Sequence, residues 1–167
     1  IGVPLTILSM TRATEFGIVE MGASGPGEIA LLCDIAGPDY GLITNIGRAH
    51  LEGFGGEDGV RKAKGELYDY LAANRARALV RAGDQGLREM ALARGALLIE
   101  DYSSDSADGY ESSLTGDYNR HNIAAAIALG RLFGVDEDDT RDAIKEYTPS
   151  NNRSQLIDTG LNKVILD

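Results

Sequence analysis

The sequence predicts an α/β fold, a mostly parallel sheet with flanking helices, and three observations carry that expectation. Short apolar runs alternate with segments of helical periodicity along most of the chain. Breaks rich in glycine and proline separate them. Finally, residues 43–66 run from a short apolar segment, through a polar and glycine-rich turn, into a helix. Open α/β sheets place their ligands in such turns. At 167 residues, the chain suits a domain of ordinary size with a real core.

Taken in order, residues 17–20 read as a short buried strand that ends in an acid, Glu20, and Gly22, Gly25, Pro26 and Gly27 break it. Residues 28–36 carry helical apolar spacing (Ile29, Leu32, Cys33, Ile35) and stop at Gly37 and Pro38. Residues 42–46 form the next expected strand and 57–73 the next helix. A strand over 77–80, a helix over 84–94 and a strand over 96–100 follow. The Ser/Asp/Gly-rich run 102–113 reads as a loop. The helix expected over 119–133 is apolar almost all round, hence buried. Asp136 is a good N-cap for a last helix that reaches Tyr147. Residues 149–152 read as a linker, and 155–158 and 164–167 as two strands around the turn Thr159-Gly160. No internal repeat is apparent.

Composition excludes several classes of function. The formal net charge is −10, with the acids scattered, so neither nucleic acid nor an anionic membrane is an expected partner. No apolar run approaches membrane-spanning length and no signal peptide is visible. The single cysteine, Cys33, rules out an internal disulfide and agrees with a reducing compartment, so the expected location is cytoplasmic. Its apolar helical setting reads as a buried structural thiol.

Three residues suggest chemistry. Glu20 closes one expected strand and His50 lies just beyond another. A carboxylate suits a hard cation such as Mg²⁺, and a neutral imidazole can add a nitrogen ligand. Each also has a plain alternative, a solvated strand-end acid and a packed histidine. Lys64 falls within the apolar stripe of Val60, Leu67, Tyr68 and Leu71, while Lys62 points away. Such a lysine either snorkels to water or is held near the strand ends, where burial lowers its pKa. Periodicity leaves the two open.

Several motifs together resemble the Mur ligases. They are Glu20-Met21-Gly22 with Gly27-Glu28-Ile29, then Thr44-Asn45-Ile46-Gly47 with Ala49-His50-Leu51-Glu52-Gly53-Phe54-Gly55, then Ala63-Lys64-Gly65-Glu66. Later, Gly116-Asp117-Tyr118-Asn119-Arg120-His121-Asn122 resembles the family's nucleotide-base motif. Arg153 and Ile165-Leu166-Asp167 resemble the start of its third domain.

The resemblance implies an ATP-dependent amide-bond former of cytoplasmic peptidoglycan synthesis. Within the family the motifs look most like the branch that adds D-alanyl-D-alanine to UDP-N-acetylmuramoyl-tripeptide. In such enzymes the substrate carboxylate attacks the γ-phosphate of ATP to give an acyl phosphate, which the incoming amine then displaces. Positioning and charge stabilisation dominate such chemistry. By similarity the catalytic set is Glu20, His50 and Lys64. Glu20 and His50 would bind Mg²⁺, and Lys64 would match the lysine that takes up CO₂ as a carbamate in several members. Asn119 and Asn122 would meet adenine, and Arg153 and Asp167 the nucleotide from the third-domain side. The plain alternatives are a helix N-cap for Asn119 and a solvated linker residue for Arg153.

The departures are also informative. The family's phosphate loop ends Gly-Lys-Thr or Gly-Lys-Ser, and none of the four lysines, Lys62, Lys64, Lys145 and Lys163, follows that pattern. The loop before Leu114 is short for the family. The expectation is a fragment. Residues 1–150 would be a central ATP-binding domain lacking its phosphate loop, and 151–167 the start of a C-terminal domain. Such a fragment would be inactive alone, and its exposed apolar surface would leave it marginally stable or self-associating, whereas the protein itself is expected to be a monomer. Two other readings are another Mur-type ligase, adding a single amino acid or a glutamate to a folate, and a non-catalytic binding module derived from a ligase.

Overall fold

A computed structural model describes residues 2–47, 54–96, 98–114, 116–149, 155–158, 160 and 162–166. They fall into two compact units, Ile1–Asp101 and Tyr102–Asp167.

The first unit is built on a three-stranded parallel sheet with flanking helices. Its elements are α1 (Gly2–Ser9), α2 (Glu28–Ala36), β1 (Tyr40–Leu42), α3 (Glu57–Ala73), β2 (Arg77–Arg81), α4 (Gln85–Ala93) and β3 (Ile99–Tyr102). The strand order is β1-β2-β3, with Tyr40 opposite Arg77 and Leu42 opposite Leu79. Ala78, Leu79 and Val80 are buried consecutively, as expected of a strand covered on both faces. The helix α3 lays Val60, Ala63, Leu67, Tyr68 and Leu71 inward. With Ile29 and Cys33 of α2, and Leu87, Met90 and Ala91 of α4, it forms much of the core.

Local chemistry sets the helix ends. At the C-terminus of α2, Gly37 takes a left-handed conformation (φ 59°) and its N–H donates to the Cys33 carbonyl at 2.8 Å. The side chain of Asp84 caps α4 by accepting from the Leu87 N–H at 3.1 Å. These bounds follow the sequence reading closely.

The strands follow it less well. Residues 17–20 are not a strand: Ile18 is 87% exposed and Glu20 faces solvent. A strand exists only through its neighbours, and among the described residues β1 pairs with β2 alone. The ends of β1 and β3 lie two to four residues from those of the spans 42–46 and 96–100. Ile43 stays buried beyond the end of β1, so its apolar character reports core contact and not ladder pairing. The helix α1 was not foreseen; its Pro4 sits in the first turn, where no N–H is required.

In the second unit, a 3₁₀ helix (Ser104–Ala107) lies within the expected loop, followed by α5 (Asp117–Leu132) and α6 (Glu137–Glu146). Asp136 caps α6, accepting from the Asp138 N–H at 2.9 Å. The helix α5 is not buried all round. Ala124, Ala125 and Ile127 are buried, while Tyr118 and the adjoining Phe133 are exposed. Its packing within the unit, against α6 and the 3₁₀ helix, covers one stripe only. A hairpin of β4 (Gln155–Asp158) and β5 (Lys163–Leu166) pairs antiparallel, with Gln155 opposite Leu166.

Candidate functional site

The side chain of Lys64 decides the question that periodicity left open. It rides on α3 between buried Ala63 and Gly65, and its Nζ donates to the backbone carbonyl of Asn45 at 2.7 Å. Asn45 lies just beyond the C-terminal end of β1, so the amine is held at the ligand edge of the sheet. Burial pushes its pKa below the ordinary lysine value. No ion pair with a carboxylate accounts for it among the described residues.

The neighbouring motif residues have distinct roles. A Cβ on Gly65 would collide with the guanidinium of Arg94, which crosses α3 there to pair with Asp69 and to donate to the Lys62 carbonyl at 3.2 Å. Glu66 reaches the start of α2: Oε1 accepts from the Gly27 N–H at 2.7 Å and Oε2 from the Ala30 N–H at 3.0 Å. A carboxylate there satisfies amides that the first helical turn leaves unpaired. Sequence reasoning gave Glu66 no role, because its partners are backbone amides 39 and 36 positions away.

Of the other expected metal residues, Glu20 lies on the exposed segment before α2 and makes no hydrogen bond or ion pair with Lys64. His50 lies outside the described residues. Among the described residues no three His, Cys, Asp or Glu side chains converge. The chemistry of the individual donors suits a hard cation. Glu20 is an accessible carboxylate, and Lys64 is a desolvated amine whose carbamate would add oxygen ligands.

Cys33 is fully buried, with Sγ 3.8 Å from Met21 Sδ. Desolvation first, then the charges of Asp34 and Glu66, push its pKa up from 9.0 to about 11. At pH 8 the native thiolate fraction is then roughly 10⁻³. A disulfide reagent should therefore label Cys33 only as fast as the chain opens, with full labelling in denaturant. Stability should also fall as pH rises through 9 to 11, because the unfolded thiol releases its proton first. Rapid native labelling at pH 8 would contradict this.

In the second unit the base-motif residues gather at the start of α5. Gly116 occupies the N-cap position, so Asn119 is not the cap; it is 6% exposed, inside the first turn. Asn122 Nδ2 donates to Asn119 Oδ1 at 3.3 Å, so the two amides are neighbours. Ser104 Oγ lies 2.8 Å from His121 Nδ1, and Arg120 pairs with Asp108 and, at 3.5 Å, with Asp105. The loop thus straps the first turns of α5 through His121 and Arg120, although its composition signals only a turn. Arg153 and Asp167 lie outside the described residues.

Comparison with known proteins identifies relatives of this chain. Residues 1–106 match the family model described as the Mur ligase middle domain. UDP-N-acetylmuramoyl-tripeptide–D-alanyl-D-alanine ligase of Bacillus subtilis is 34% identical over 179 aligned residues, covering 95% of this chain and 39% of that protein. The Escherichia coli protein of the same name is 33% identical, with 87% and 37% covered. Among solved structures, MurF from Acinetobacter baumannii superposes with a TM-score of 0.80 at 25% identity, covering 99% of this chain and 41% of that one. MurF from Thermotoga maritima, solved in complex with ADP, gives 0.72 at 25% identity, with 94% and 42% covered. The chain spans about two-fifths of the length of the relatives it matches. The parallel sheet, the lysine held at its ligand edge and a family match that spans the whole sheet-bearing unit lead to one assignment: the chain belongs to the Mur ligase middle-domain family.

Proposed function

We propose that this chain is the central ATP-binding part of a ligase that joins D-alanyl-D-alanine to UDP-N-acetylmuramoyl-tripeptide in cytoplasmic peptidoglycan synthesis. The observation that carries the reading is the desolvated Lys64 amine fixed to the Asn45 carbonyl beyond β1. The names of the relatives and the ADP complex of one structural neighbour support the substrate and nucleotide assignments. In this reading residues 1–150 form the ATP-binding domain and 151–167 open a further domain, within a monomeric enzyme.

The residues divide the work by chemistry. Glu20 and His50 would hold Mg²⁺, with Lys64 contributing as a carbamate. To form it, the neutral Nζ attacks the carbon of CO₂, one C=O bond becomes C–O⁻, and a proton leaves the nitrogen. The product converts a cation into an anion, which is how a lysine can serve among cation ligands. Bound Mg²⁺ would supply charge stabilisation while phosphoryl moves from ATP to the substrate carboxylate. Asn119 and Asn122 offer amides that both donate and accept, as an adenine edge requires. Arg153 and Asp167 would complete the nucleotide contacts.

A protein of the relatives' full length that contains this chain should release phosphate from ATP only when both the muramoyl-tripeptide nucleotide and D-alanyl-D-alanine are present. Amide product should form in equal amount. Turnover with a single amino acid, or with glutamate and a folate, would move the chain to another branch. Absence of turnover with every acceptor would leave a binding module.

A further inference from the structure

We propose that Glu66 is a positioning residue: it clamps α2 onto the helix that carries Lys64 and thereby fixes Glu20 relative to that lysine. The inference rests on the cation-site reading above. Glu66 and Lys64 sit two positions apart on α3 but hold different parts of the unit. Lys64 grips the segment after β1 through the Asn45 carbonyl. Glu66 grips the first turn of α2 through two amides, at 2.7 and 3.0 Å.

The α2 helix in turn anchors the residue next to Glu20. Met21 packs against the core, and its Sδ lies 3.8 Å from Sγ of fully buried Cys33. A path therefore runs from Glu66 to the start of α2, along α2 to Cys33, then to Met21 and Glu20. Glu20 itself is exposed and has no clamp of its own. Without a bridge from α3 to α2, its separation from Lys64 would depend on apolar contact alone, which is non-directional. A carboxylate that accepts two backbone N–H bonds is directional and charge-assisted.

Glu28 provides the matching control. Its Oε2 accepts from the Ser24 N–H at 2.7 Å, a bond within the turn that precedes α2, with no tie to α3. Glu28→Gln removes a carboxylate of the same charge from the same region, but no bridge. Glu66→Gln keeps one acceptor oxygen and loses the other, so the chain should still fold; thermal unfolding monitors that.

The probe is Mn²⁺ in bicarbonate buffer, titrated by the electron paramagnetic resonance of the free ion. Site-bound ion is the part lost in Lys64→Ala. Glu66→Gln should raise the site's dissociation constant about tenfold, while Glu28→Gln stays within twofold of the unsubstituted chain. If Glu66→Gln also stays within twofold, or if Glu28→Gln weakens binding equally, the clamp is overturned and the cation site stands. If the unsubstituted chain binds no Mn²⁺ that Lys64→Ala removes, the cation-site reading fails and the clamp fails with it.

Discussion

Leu71→Ala is expected to lower the unfolding free energy by about 2–5 kcal/mol, the range for removing a fully buried leucine. Its surroundings explain why the cost should be high and partly recoverable. Leu71 faces Gly41 in β1, and a Cβ built on that glycine would lie 2.7 Å from Leu71 Cδ1 and 3.0 Å from Leu67 Cδ1. The missing side chain at position 41 is what lets α3 approach the sheet. Gly41→Ala alone should therefore cost about 1–3 kcal/mol through overpacking. In the double variant the added methyl occupies space that Leu71 vacates, so the combined cost should fall short of the sum by about 1 kcal/mol or more. Urea unfolding of the four proteins measures the cycle. Costs that add to within about 0.5 kcal/mol would show that the two positions do not share one packing site.

The same contact shows what could be read from the sequence and what could not. The helices α2 and α3 have their expected bounds, because apolar residues at helical spacing and the Gly37-Pro38 stop are local signals. Gly41 is different: as a residue in an apolar run it reads as a weak strand former, and only the packed helix reveals its purpose. The segment 17–20 has the composition of a strand but no strand beside it among the described residues, and pairing is not written locally. For the site, the sequence exposed Lys64 as a cation in an apolar stripe. Its partner was hidden, because the carbonyl of Asn45 would be the same for any residue there. Glu66 was hidden for the same reason: its two partners are backbone amides. The neighbouring amides of Asn119 and Asn122 came from family motifs, while the strap from Ser104 to His121 carries no signature beyond polar composition.

In the ligase proposed above, Lys64→Ala and Lys64→Arg are each expected to lower amide formation by the full-length protein by roughly 10²–10³, the usual cost of losing one group that stabilises transition-state charge. The arginine variant is the sharper of the two. It keeps the positive charge, much of the length and the ability to donate to the Asn45 carbonyl, so a lysine that merely snorkels or braces the loop should be replaced by it with modest loss. A lysine that must lose its proton and attack CO₂ should not, since guanidinium stays charged throughout the accessible pH range. The burial that lowers the Lys64 pKa favours the second case: it leaves more neutral amine near pH 7 than an exposed lysine offers. Carbon-13 NMR in labelled bicarbonate reads the adduct directly. A carbamate resonance should appear in the unsubstituted protein and be absent from both variants. Activity within tenfold of the parent in Lys64→Arg would reduce Lys64 to a brace for the loop after β1.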